Sequence, residues 1–184
     1  MNRFTRLLEV AAAALALFTI SPADAQGSCS VERSALASLE KTYTPEWFAF
    51  IAVTHVRPEV FAASYRASKA VHGSIEIGPT FRDFGQLISS LSTEIAISKD
   101  SIQKESGDEG AVALTYEGAA RAYALAGQCW SNLIRNGSGD TASILLVPFW
   151  EDGNALAEAA NGAYLAAVKR ERETPKKKAK SPPR

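Results

Sequence analysis

Residues 112–133 read VALTYEGAARAYALAGQCWSNL, and their spacing decides the fold. Val112, Tyr116, Ala119, Tyr123, Ala126, Trp130 and Leu133 follow one another at intervals of four, three, four, three, four and three. That is the repeat of one face of an α-helix, and it excludes a strand, whose period is two. Gly118, Ala119, Ala120, Ala122, Ala124, Ala126 and Gly127 crowd the same segment. Side chains this small let another backbone come close, so this helix is expected near the middle of a bundle. Cys129 sits one residue before Trp130, beside the apolar stripe, where it can reach a packed neighbour.

Upstream of this segment the pattern is helical as well. Residues 30–43 place Val31, Leu36, Leu39 and Tyr43 on or near one face of a short first helix. Thr44 and Pro45 are a start signal, with Thr44 as N-cap and proline at the first helical position. The segment that follows, PEWFAFIAVTHV (45–56), is apolar almost all round, as in a helix buried inside a bundle or under a partner. Pro58 is expected to kink or break it, and the continuation over 58–73 to stop at Gly73. Residues 73–80 read as a loop, in which Ile75 and Ile77 alternate with polar residues over too short a span for a strand. Thr80 and Asp83 resemble a capping box. From there Phe81, Phe84, Ile88, Leu91, Ile95 and Ile102 keep three-and-four spacing, with Ser98 taking one slot. Residues 105–110 read as a polar hinge.

Downstream, RNGSGD (135–140) is a turn. Pro148 interrupts the apolar run of residues 141–156, so a short helical or extended piece, a bend and a last helix over about 153–172 are expected. The whole reads as an all-α, up-and-down bundle of about four to five helices with proline bends, occupying residues 26–172.

The first 25 residues read as a secretory signal peptide. Arg3 and Arg6 precede an uncharged apolar stretch from Val10 to Ile20, and Ala23-Asp24-Ala25 is a small-x-small cleavage site. The stretch is about half of the roughly 20 residues that a membrane span needs. Gln26 stands three places before Cys29, where a lipid-attachment signal needs Leu or a similar residue, so Cys29 is not read as a lipid anchor. The leader resembles those of Gram-negative exported proteins, which implies a periplasmic or secreted address. Cleavage after Ala25 leaves 159 of 184 residues, enough for one domain with its own core. Cys29 and Cys129 are the only cysteines, neither lies in a haem-attachment or zinc spacing, and a disulfide between them is the most economical reading. It would close a loop of 100 residues and contribute up to about 4.7 kcal/mol on the chain-entropy model.

Charge is uneven beneath a formal total of zero. Residues 26–168 hold 10 Lys and Arg against 16 Asp and Glu, whereas residues 169–184 hold 8 against 2. Residues 173–184, with Lys176, Lys177, Lys178, Lys180 and three prolines, read as a disordered basic tail. Such a tail either solubilises the chain or is drawn to an anionic surface. Nucleic acid is not an expected partner for an exported chain.

Chemistry has few parts to work with. No H-E-x-x-H, G-x-S-x-G, Walker or dinucleotide glycine pattern occurs, so no catalytic residue, metal or cofactor is assigned. His55 and Glu59 are four apart and would meet on a continuous helix, but Pro58 lies between them. A hydrogen-bonded histidine at a helix bend is the plainer reading. Asp108-Glu109 and Glu151-Asp152 read as carboxylates flanking turns. Trp47, Phe48, Phe149 and Trp150 are either core or, if one cluster stays exposed, a patch for a partner or ligand. The sequence therefore points to an exported, non-enzymatic helical protein that binds another protein or an envelope component, as an adaptor, accessory protein, inhibitor or chaperone. A carrier of a small apolar ligand in the bundle interior is the alternative, and an unrecognised hydrolase the third reading. A homo-oligomer is compatible with all three.

Overall fold

The computed structural model describes residues 27, 29–102, 107–139 and 142–173. The signal-peptide reading of residues 1–25 and the tail lysines Lys176, Lys177, Lys178 and Lys180 lie outside the described residues. Among the described residues six helices are formed and no strand. They are α1 (Ser30–Thr42), α2 (Pro45–Val53), α3 (Pro58–Ile77), α4 (Phe81–Asp100), α5 (Asp108–Arg135) and α6 (Ala142–Glu173).

Helices α3, α4, α5 and α6 close a four-helix ring, each packing on the next and α6 returning to α3. The pairings fix the directions. Ser64 meets Ser98 near the start of α3 and the end of α4, Lys99 meets Glu117, and Tyr123 meets Asn154. Successive helices are therefore antiparallel, giving an up-and-down bundle. Helix α1 lies antiparallel on α5, with Cys29 against Cys129 at one end and Tyr43 against Leu114 at the other. The short α2 packs across α6 and α5.

Local signals start the helices. Thr44 Oγ1 accepts from the Trp47 amide with Pro45 in the first turn, and Thr80 Oγ1 accepts from the Asp83 amide while donating to Asp83 Oδ2 at 2.7 Å. Helix α3 differs from expectation at its end, running through Gly73 to Ile77. A glycine inside a helix costs only about 1 kcal/mol. The stop comes at Gly78, whose φ of 79° is left-handed and whose neighbour Pro79 disfavours the α conformation before it.

Helix α6 also departs from expectation, because Pro148 lies inside one continuous helix and no new helix starts at Gly153. Pro148 and Ile144 are exposed, while Leu146 and Phe149 are fully buried. Proline in a helix interior costs about 3 kcal/mol, and burying a leucine and a phenylalanine contributes about 1.5–3 kcal/mol each, so packing holds the segment helical. At Pro58 the chain does break. Thr54 and Arg57 take extended backbone, and Pro58 occupies the first turn of α3, where its missing amide leaves no bond unmade. This break divides the expected second helix into α2 and α3.

The core follows the α5 stripe. Val112, Tyr116, Ala119, Tyr123, Ala126 and Leu133 are fully buried, Trp130 is half-buried and its neighbour Cys129 is buried, with Phe61, Phe84, Leu91, Leu146 and Phe149 around them. Two tyrosines fit against glycines. A Cβ on Gly118 would come 2.6 Å from the Tyr43 ring, and one on Gly153 2.5 Å from the Tyr123 ring. Polar layers fix the register: Asn161 Oδ1 accepts from both Ser68 Oγ and Tyr116 OH, and Ser98 Oγ donates to the Val60 carbonyl.

Candidate functional site

A pocket opens where α1 and α2 lie over α5 and α6. Helix α1 supplies Leu36, Leu39 and Glu40, whose three-and-four spacing turns them to one side, and Tyr43 follows at its C-cap. Phe48 of α2 forms a wall, Leu156 of α6 another, and the small side chains of Ala122 and Ala155 leave the space between them unfilled. Its volume is about 140 Å³. Leu36, Ala122 and Leu156 are buried, whereas Glu40 and Ala155 are exposed, so the pocket opens along the Glu40 and Ala155 edge.

Two carboxyl groups mark that edge. Asp152 stands on the inner stripe of α6, three residues after the buried Phe149 and four before Leu156. Burial pushes its carboxyl above the usual carboxylate range, and the charge of Glu40, a shared hydrogen bond with Glu40 and the charge of Glu151 add to the effect. Tyr43 holds the far side. Its hydroxyl donates to the Leu114 carbonyl at 2.7 Å, and burial, helped by Glu117 and opposed by Arg121, raises its pKa. The lining offers carboxyl groups and a phenol but no His, Cys, Ser or Lys. It can hold an apolar group beside a charge.

The residues singled out in the sequence divide. Phe48 lines the pocket, and Trp47 beside it donates from Nε1 to Thr115 Oγ1 at 3.0 Å while packing on Tyr43 and Phe50. Phe149 is fully buried in the core, and the half-buried Trp150 packs against it, edge-on to Phe84 and Trp130. Cys29 and Cys129 are joined by a disulfide with Cα atoms 5.0 Å apart, and Glu32 accepts a hydrogen bond from Asn132 beside it.

His55 and Glu59 do not share a helix. His55 lies in the extended linker before α3, where its amide donates to Asp108 Oδ2 at 2.6 Å and its ring Nδ1 stands 3.8 Å from the same oxygen. Glu59 is exposed in the first turn of α3. Arg57 binds both carboxylate oxygens of Glu109, at 2.8 and 2.7 Å, and its amide donates to Glu109 as well. Asp108 and Glu109 therefore clamp this linker to the N-terminus of α5, where the helix dipole also favours negative charge. Among the described residues no group of three or more His, Cys, Asp and Glu is placed to hold a metal ion.

Asp152 is the residue that reading the sequence placed wrongly, as a turn-flanking carboxylate. Its signal was present: Leu146, Phe149, Asp152 and Leu156 keep helical spacing straight through Pro148. Comparison of the chain with family models, with curated proteins and with solved structures finds no match in any of the three.

Proposed function

We propose that the chain is an exported, non-enzymatic helical protein that binds another protein or an envelope component, and that the pocket between α1, α2, α5 and α6 receives the partner's anchoring group. The pocket is the observation that carries this reading: apolar walls from Leu36, Leu39, Phe48 and Leu156 meet a charged rim at Glu40 and Asp152. Protein partners are commonly held by a few side chains seated in such pockets. Export is supported by the leader-like residues 1–25 and by the cysteine pair, since disulfides persist outside the reducing cytosol. Among the described residues no helix is long and apolar enough to cross a membrane. An adaptor, accessory protein, inhibitor or chaperone would all use the chain in this way. The basic tail adds attraction to an anionic surface, about 1 kcal/mol per basic residue close to an anionic membrane.

Carriage of a small apolar ligand is the second reading, and the same pocket favours it. Its place is then beneath α1 and α2, outside the four-helix ring. Ala155 is exposed at the pocket mouth, so Ala155→Phe fills the opening without disturbing the core. The mature chain, an Ala155→Phe variant and a variant lacking residues 174–184 are used to capture partners from a Gram-negative envelope extract. One stoichiometric protein retained by the mature chain and by the shortened chain, and lost with Ala155→Phe, is the expected result. Equal capture by Ala155→Phe removes the pocket from the reading, and substrate turnover by the purified chain alone removes the non-enzymatic role.

A further inference from the structure

We infer that the pocket selects a protonated amine joined to a single ring-sized apolar group. The inference rests on the pocket being the binding site, and it adds the chemistry of what is bound. Size sets the apolar part. At about 140 Å³ the pocket is close to the apolar cavity of about 150 Å³ that accepts one benzene ring, and a larger ring system would protrude. Composition sets its polarity, because Leu36, Leu39, Phe48 and Leu156 offer no hydrogen-bonding side chain to the group seated between them.

The rim sets the charge. Glu40 and Asp152 both line it, the like charge of Glu40 acts on Asp152, and among the described residues neither forms an ion pair with a cation. Asp152 gives up part of its hydration to stand on the inner stripe of α6. An ammonium group at the mouth satisfies both carboxylates and removes their repulsion, whereas a neutral group leaves the repulsion in place and an anion increases it. Retaining two such acids beside an apolar wall costs stability, a pattern expected where binding and not folding sets the residue. The same chemistry is carried by a free aralkylamine and by a phenylalanine or leucine flanked by lysine in a partner chain.

The test uses the mature chain and three probes at pH 7: phenethylammonium, its neutral counterpart 2-phenylethanol, and the blocked tripeptide acetyl-Lys-Phe-Lys-amide, each titrated by protein-observed NMR. The expected result is shifts at Leu36, Leu39 and Leu156 with phenethylammonium, the tripeptide or both, at least about tenfold tighter than with 2-phenylethanol. Binding by phenethylammonium identifies a free amine as sufficient, and binding by the tripeptide alone places the charge on a flanking residue; both uphold the inference. In the Glu40→Gln/Asp152→Asn variant the preference for the charged probe should disappear while binding of 2-phenylethanol persists. Affinity for 2-phenylethanol equal to that for both charged probes, or a preference unchanged in that variant, overturns the inference and leaves the pocket as an apolar site. Absence of binding by all three probes also overturns it; partner capture that is still lost with Ala155→Phe then shows that the wider reading survives.

Discussion

The ring of Tyr43 lies across Gly118, with its Cζ 2.6 Å from where a Cβ would stand and its hydroxyl bonded to Leu114 one turn earlier. The contact couples α1 to α5 at the end opposite the disulfide, and it forms one wall of the pocket.

Gly118→Ala is therefore expected to destabilise the fold, although alanine is the better helix former. Displacing a packed ring costs about 1–3 kcal/mol, against a helix-propensity gain of about 1 kcal/mol. Gly73 provides the control. It is also helical, but a Cβ there meets nothing within 4 Å. Gly73→Ala should stabilise by about 0.5–1 kcal/mol. Urea denaturation of both variants measures the contrast. Equal effects would show that the Tyr43 ring yields freely.

The disulfide makes a separate prediction. It ties residues 100 positions apart and anchors the start of α1, where Asn132 also donates to Glu32. Replacing both cysteines by serine should lower unfolding stability by about 2–5 kcal/mol. Hydrogen exchange should rise first in α1, which packs on α5 and is not part of the four-helix ring. Uniform loss of protection across all six helices would show instead that α1 and the ring unfold as one unit.

How far the sequence reaches is decided by whether its signals are local. The α5 stripe could be read because its spacing records burial directly, and the Thr44 and Thr80 caps because the hydroxyl acts within three residues. Gly73 and Pro148 misled because glycine and proline state what the chain can do locally. Whether a helix ends there depends on Gly78-Pro79 five residues on, and on the burial of Leu146 and Phe149. The pocket was illegible for a related reason. Its acids come from α1 and α6, 112 residues apart, and no local pattern announces that Glu40 and Asp152 share a rim.

The linker clamp predicts a pH dependence with one sign. The hydrogen bond from Arg57 is the largest cause holding the Glu109 carboxyl below its ordinary value of 4.5, opposed in part by burial. A depressed folded value means that the contribution is fully present above the unfolded pKa and is lost as pH falls through the folded one. Glu109→Gln should then lower the urea midpoint at pH 7 and have a smaller effect with each step below about pH 4.5. Amide exchange at His55 and Arg57 should quicken in the variant, because Arg57 loses its bidentate partner. An unchanged midpoint at pH 7 would mean that the Asp108 contact to His55 holds the linker alone.

Asp152 predicts the opposite sign. Burial, then Glu40 and Glu151, raise its carboxyl above the ordinary 3.8, so the folded chain binds the proton more tightly than the unfolded chain does. The destabilisation is complete above the raised value, shrinks as pH falls through it and is absent below the unfolded value. Asp152→Asn should accordingly raise the thermal midpoint at pH 7, and the gain should fade to nothing near pH 3.8. Glu40→Gln removes the like charge that acts most strongly on Asp152 and should recover part of that gain without touching the core, since Glu40 is exposed. Thermal melts of the two variants and their combination across this pH range measure the coupling. Additive gains would mean that the carboxyl groups act independently, and a combined gain smaller than the sum that both variants relieve the same repulsion. The second outcome is expected, because the repulsion has only one pair to relieve.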